Sequence, residues 1–276
     1  MNLWLVQILA VIRLELKKTF FAKRGLWIYI LALLPLAMFT ARAISVMRFH
    51  NPADFGQDTN IFATIFQFFY LRLAIFFGCV GIFMNLIRGE MLDRSLHFYF
   101  LAPIRREVLM AGKFLAGLFA AIVIFGTSTV LQLIALYSVF DPPTLQEFVF
   151  RGDGIHHLLS YVGVTVLACI GYGSVFLAAG VLLRNPIIPA AVILVWEAIS
   201  SFLPAFLQKI SVIYYLKSLC PVEVPPNIGP PFSLLAVNPD PASPIIAIPS
   251  LILLSALVVL WSGYKIRRLE INYGTD

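Results

Sequence analysis

The sequence predicts an all-α integral membrane protein with six transmembrane helices, and three observations predict it. Of its 276 residues, 60% are hydrophobic and only 12% are charged, against roughly 45–50% and about 25% in ordinary globular domains. The mean hydropathy is +0.91. The apolar residues gather in six continuous runs, too long and unbroken for the ten-residue alternating segments of a membrane barrel. This composition excludes a disordered chain and a soluble enzyme. A net charge of +6 in a soluble protein would suggest nucleic acid. Here the basic residues border the apolar runs, so no nucleic acid is expected and the charge belongs to membrane orientation.

Residues 1–24 come first, as an apolar stretch followed by Arg13, Lys17, Lys18, Lys23 and Arg24, the wrong polarity for a cleaved signal peptide. Arg13, Lys17 and Arg24 share one helical face, while Leu5, Ile8, Ile12, Leu16 and Phe20 fall largely on another. That pattern predicts an amphipathic helix lying in the membrane interface. Six spans follow, at about 25–46, 61–87, 114–140, 158–183, 187–206 and 245–264. Each is long enough for a hydrocarbon core about 30 Å thick. Two connections are long. Residues 88–113 carry charges of both signs; residues 207–244 hold the pairs Pro225-Pro226 and Pro230-Pro231, which bar a continuous helix. With the N-terminus inside, fourteen Lys and Arg fall on the inner side, including Arg88, Arg94, Arg105, Arg106 and Lys113. Five fall outside: Arg42, Arg48, Arg151, Lys209 and Lys217. The bias predicts a multi-pass protein of the plasma (inner) membrane with both termini cytoplasmic, the 88–113 loop inside and the proline-rich loop outside.

Sites for chemistry within the chain are scarce. None of the four histidines stands in an HExxH pattern, and His156-His157 beside Asp153 reads as an outer loop instead of a metal site. No catalytic, cofactor or metal site is expected. Cys79 and Cys169 read as small packing residues and Cys220 as a lone external thiol. The phenylalanines of the second span (Phe62, Phe66, Phe69, Phe76, Phe77, Phe83) form a stripe that suits an apolar path or, more simply, packing.

Two charges fall within spans. Arg72 is placed a turn or two below the outer surface, where it can snorkel. Glu197, ten residues into the fifth run, falls near the midplane, where a carboxylate must face protein, water or a polar neighbour. Both are candidates for lining a translocation path, and the depth estimate predicts no direct ion pair between them.

Segment 86–117 reads LIRGEMLDRSLHFYFLAPIRREVLMAGKFLAG: a span ends, an acidic residue follows a glycine, a short amphipathic helix runs to a proline, and a basic pair leads to a Gly-Lys at the next span. Physically, such a loop is either an ordinary basic cytoplasmic connection or a rigid element that seats in a soluble partner. The segment resembles the permease subunits of type-2 ABC exporters, six-helix proteins that work with a separate ATP-binding cassette ATPase. Gly89-Glu90, Leu101-Ala102-Pro103 followed by Arg105-Arg106-Glu107, and Gly112-Lys113 carry the resemblance. The N-terminal stretch with Arg13, Glu15 and Lys17, and Lys23-Arg24 before Gly25-Leu26-Trp27, is similar to the family's interfacial helix. Leu92, Asp93 and Arg94 depart from the family's usual residues after the acidic position.

The resemblance implies a coupling helix from about 90 to 100, with Glu90, Leu92, Asp93, Arg94, Ser95, Leu96, Arg105 and Arg106 facing the ATPase. It implies pairing with a second copy or a similar permease around a central path. ATP and Mg would be bound by the partner, consistent with a chain that has no GxxxxGK[ST] phosphate loop. The chain itself is then a transport subunit and not an enzyme, with membrane lipid as its surroundings. Two other classes stay open: a stand-alone secondary carrier using Glu197 and Arg72, and a membrane-embedded enzyme with an unrecognised site.

Overall fold

The computed structural model describes residues 3–21, 25–49, 53–92, 105–183, 187–200, 203–222, 224 and 241–267. The described residues are helical, with no strand, and five helices are long and apolar enough to cross a membrane. In chain order the elements are α1 (Leu3–Phe21), α2 (Leu26–Phe49), α3 (Phe55–Ile87), α4 (Arg106–Tyr137), α5 (Pro142–Arg151), α6 (Gly154–Leu182), α7 (Ile187–Ile199), α8 (Ala205–Gln208), α9 (Val212–Ser218) and α10 (Pro244–Arg267). The long helices are α2, α3, α4, α6 and α10. Two begin earlier than hydropathy suggests. Asp54 caps α3 by accepting a hydrogen bond from the Gly56 N–H at 3.0 Å, and α4 starts at Arg106 with Glu107 in its first turn, where a carboxylate complements the helix dipole.

Helix α6 occupies the middle of the bundle, against α3, α4, α9 and α10. The phenylalanine stripe of α3 serves packing: Phe62, Phe66, Phe76 and Phe83 are fully buried. Phe62 and Phe66 pack edge-on against Tyr161 of α6 at 4.9 and 4.8 Å between ring centroids, and Phe76 meets Phe176 at 4.9 Å. Such edge-to-face pairs suit the aromatic quadrupole. In lipid, close packing and interhelical hydrogen bonds hold helices together in place of the hydrophobic effect. Gly78 shows the closeness, because a Cβ there would enter the Phe125 ring. Polar contacts across the bundle join α2 to α4 (Ser128 Oγ to the Ala32 carbonyl, 2.5 Å), α3 to α4 (Tyr70 hydroxyl to the Phe125 carbonyl, 2.7 Å) and α4 to α6 (Thr129 to Thr165, 3.0 Å). Each such bond is worth about 0.6 kcal/mol on average in a membrane.

Helices α3 and α4 are not uniformly α. Residues Phe66–Ile75 and Val80–Met84 of α3, and Ile122–Gly126 of α4, are wound as π-helix. The Phe125 carbonyl lies in one such stretch and accepts from both Tyr70 and Thr129. Side chains thus satisfy a backbone group that the wider winding leaves less well paired.

The fifth apolar run differs from the expectation of a continuous span over 187–206. Helix α7 ends at Ile199 after 13 residues, about 20 Å, well short of a hydrocarbon core about 30 Å thick. The break has local causes. Ser200 turns its hydroxyl back to the Glu197 carbonyl at 2.8 Å, and Pro204 can donate no backbone hydrogen bond. Helices α8 and α9 then occupy the start of the expected external loop, and residues 225–240 lie outside the described residues. The N-terminal helix α1 lies along α4 and buries Val11 and Glu15.

Both described chain ends sit at one end of the bundle. Arg106 Nη1 donates to the Ile266 carbonyl at 3.3 Å, and the Arg105 guanidinium stacks 5.2 Å above the Trp4 ring. At the other end, Arg42 of α2 pairs with Asp58 of α3 at 3.3 Å.

Candidate functional site

Two clusters of buried charged residues stand out. The first surrounds the base of the 88–113 loop. Lys113 lies in the second turn of α4, inside an apolar run, with only 2% of its surface exposed. Its ammonium donates to Glu15 Oε1 at 2.6 Å and to the Leu86 carbonyl at 2.9 Å. Glu15 is equally buried. An isolated charge in such a place is very costly, so each residue requires the other. Gly112 makes the approach possible: a Cβ there would meet Val11 Cγ1 at 2.9 Å and the Ile8 carbonyl at 3.6 Å. The Gly112-Lys113 pair therefore seats α1 on α4 and ties both to the end of α3. With Arg105 on Trp4 and Arg106 on Ile266, the base of the loop is joined to α1, α3, α4 and α10.

Of the residues expected to couple to a partner, Glu90 and Leu92 belong to the helical continuation Asn85–Leu92 beyond α3. Asp93, Arg94, Ser95 and Leu96 lie outside the described residues, as does the proline turn at 101–103. Sequence reasoning named Glu15 and Lys113 without pairing them. The available signal was a lysine placed after a glycine inside an apolar run.

The second cluster lies at the broken fifth run. Glu197 is 5% exposed and points into the protein. Its carboxylate accepts the Ser211 hydroxyl at 2.6 Å, the Val212 N–H at 3.1 Å and the Ile213 N–H at 3.2 Å. These are the first backbone donors of α9, which a helix cannot satisfy internally. Ser211, at the usual capping position, gives its hydroxyl to Glu197, so a carboxylate from a separate helix does the capping. The charge also faces the positive end of the short helix. Val212 packs against Gly171 in the middle of α6 and near Leu251 of α10, which puts the start of α9 deep in the bundle.

Arg72 lies mid-way along α3 and not near its outer end, because α3 begins at Phe55 and not at residue 61. Among the described residues Arg72 and Glu197 form no ion pair, and Glu197 is committed to α9. Gln67, one turn from Arg72, donates to the Val222 carbonyl at 2.7 Å and fixes the end of the α9 segment against α3. Cys220 is not an open external thiol: it is 8% exposed, with its sulfur 3.4 Å from the Leu216 carbonyl. Among the described residues no cluster of His, Cys, Asp and Glu has the makings of a metal site. Compared with protein-family models and with curated proteins, the chain matches none.

Proposed function

We propose that this chain is the membrane permease subunit of an ABC exporter, driven by a separate cytoplasmic ATP-binding cassette ATPase that binds ATP and Mg. The observation that carries the reading is the buried Lys113, which joins Glu15 of α1 to the Leu86 carbonyl across the two roots of the 88–113 loop. A loop braced in this way passes a push to four helices at once, where an unbraced loop would absorb it. That is the mechanical requirement for coupling a soluble motor to a membrane domain.

In this reading Glu90 and the Leu92–Leu96 stretch seat in the ATPase, and Arg105 and Arg106 hold the loop to α1 and α10. The chain crosses the plasma membrane six times, with both termini and the 88–113 loop in the cytoplasm. The fifth crossing is made by α7 and α9 in series, about 20 Å and about 10 Å long, which together match the core thickness. The broken helix and the middle of α3, with Glu197 and Arg72, border the path, and a second copy or a similar permease completes it. The chain carries out no chemistry of its own.

The test is co-expression with a candidate ATPase encoded beside the gene. The expected result is co-purification and ATP-driven efflux in proteoliposomes. Replacing residues 92–96 with a Gly-Ser segment should abolish efflux while the chain still inserts. Solute movement by the chain alone, driven by an ion gradient and indifferent to ATP, would overturn the reading in favour of a secondary carrier.

A further inference from the structure

The cations of the second cluster take no part in capping α9. Arg72 holds its guanidinium carbon 5.7 Å from the centroid of the Phe68 ring, and Lys217 of α9 holds its ammonium 5.5 Å from the same centroid. One aromatic ring thus carries two positive charges, in a segment whose neighbours are apolar. The ion pairs Arg42–Asp58 and Glu15–Lys113 lie elsewhere. Glu197 is committed elsewhere, accepting hydrogen bonds from Ser211, Val212 and Ile213. Arg72 Nε is shielded from solvent and has no hydrogen-bond partner. A cation–π contact offsets part of the cost of such a charge, but it leaves the buried Arg72 Nε without an acceptor and does nothing for the repulsion between the two cations.

An anion bridging the two would correct all three defects. We propose that Arg72 and Lys217 form a binding site for the phosphate headgroup of an amphiphile. The guanidinium offers a planar fork of donors and the ammonium a compact charge, a combination that suits a group with several acceptor oxygens better than a carboxylate with two. The apolar half of the ligand follows from position. Arg72 lies in the middle of a membrane-length helix, and the adjacent Leu73 is 36% exposed on the outside of the bundle. A hydrated free anion would have to shed its water to reach this depth, whereas a headgroup on an acyl chain arrives with its tail already in apolar surroundings. Arg72 and Lys217 are both half-buried, so part of each side chain is accessible from outside the bundle. Helix α9 brings Lys217 there because Glu197 caps one end of it and Gln67 holds the residues that follow it.

The site is tested on the purified full chain in a neutral detergent, with lysophosphatidic acid carrying a fluorescent acyl chain as the probe. No ATPase is needed, so the outcome is independent of the permease reading. Arg72→Gln and Lys217→Gln should each weaken binding about tenfold or more, the usual size of a lost charge-assisted bond. Lys209→Gln, at an exposed lysine before α9, should leave it unchanged, and Arg72→Lys should bind better than Arg72→Gln. Dodecyl phosphate should displace the probe, and inorganic phosphate and dodecanoate should not. Wild-type affinity in both Gln variants would overturn the site. Displacement by inorganic phosphate as readily as by dodecyl phosphate would overturn the amphiphile, and displacement by dodecanoate the phosphate. Should Arg72→Gln fail to fold, Lys217→Gln decides alone, since that residue sits half-exposed on a seven-residue helix.

Discussion

The base of the 88–113 loop and the broken fifth run treat buried charge in opposite ways. At the base, Lys113 and Glu15 neutralise each other at 2.6 Å, and a second ammonium donor goes to a backbone carbonyl. At the break, the carboxylate goes to a helix start, and among the described residues the cations Arg72 and Lys217 pair with no carboxylate. A closed pair fixes how helices meet, and little else can bind to it. An open pair of like charges is held in place by the surrounding fold and leaves its donors for something that arrives later. The comparison separates structural charge from available charge by partner geometry, where burial alone would have grouped them together.

Breaking the closed pair should have the largest effect. Lys113→Met strands Glu15 in the core and should destabilise the protein by about 3–5 kcal/mol, read by denaturant titration in detergent, with α1 becoming open to protease. Combining it with Glu15→Leu removes both charges and should recover most of the loss. A double variant no more stable than the single one would show that the pair is not the main link between α1 and α4.

A smaller effect is expected at the break. Glu197→Gln keeps one acceptor oxygen but turns an NH2 group toward the donors of α9, at a cost of about 1–2 kcal/mol. The sharper readout is the Cys220 thiol, buried two residues past α9. It should react slowly with a maleimide in the wild type and several-fold faster in Glu197→Gln, because α9 frays without its cap. Unchanged labelling would mean that packing against α6 and α10, and not the carboxylate, holds α9. The smallest effect belongs to Arg42→Ala. Arg42 is 37% exposed where it meets Asp58, so about 0.5–1 kcal/mol is expected from thermal denaturation, well below Lys113→Met.

Hydropathy was enough to find α2, α3, α4, α6 and α10, because a membrane-length apolar run leaves the backbone few alternatives to a helix. It missed the break after Ile199 for the same reason: 187–206 is apolar on both sides of it, and the signal lies in Ser200 and Pro204, which alter backbone bonding and not hydropathy. The start of α3 was not legible because polar residues such as Asp58 and Asn60 belong to its first turns yet read as loop. Glu197 was recognisable as a carboxylate needing a protein neighbour, but its partners are the backbone N–H groups of a helix that the sequence did not announce. Glu15 and Lys113 are 98 positions apart, and no local pattern links residues at that distance.

The π winding of α3 bears on how the two regions communicate. A helix in this form stores a surplus residue relative to the α form, as a screw might hold a spare fraction of a turn. Returning one such residue to α geometry rotates everything beyond it by about 100° relative to what came before. Arg72 lies inside the first wide stretch, and Leu86, whose carbonyl Lys113 holds, lies just beyond the second. Unwinding either stretch would twist the lower part of α3 out from under Lys113. With that bond intact, the rotation that losing a surplus residue near Arg72 would require is opposed at Leu86.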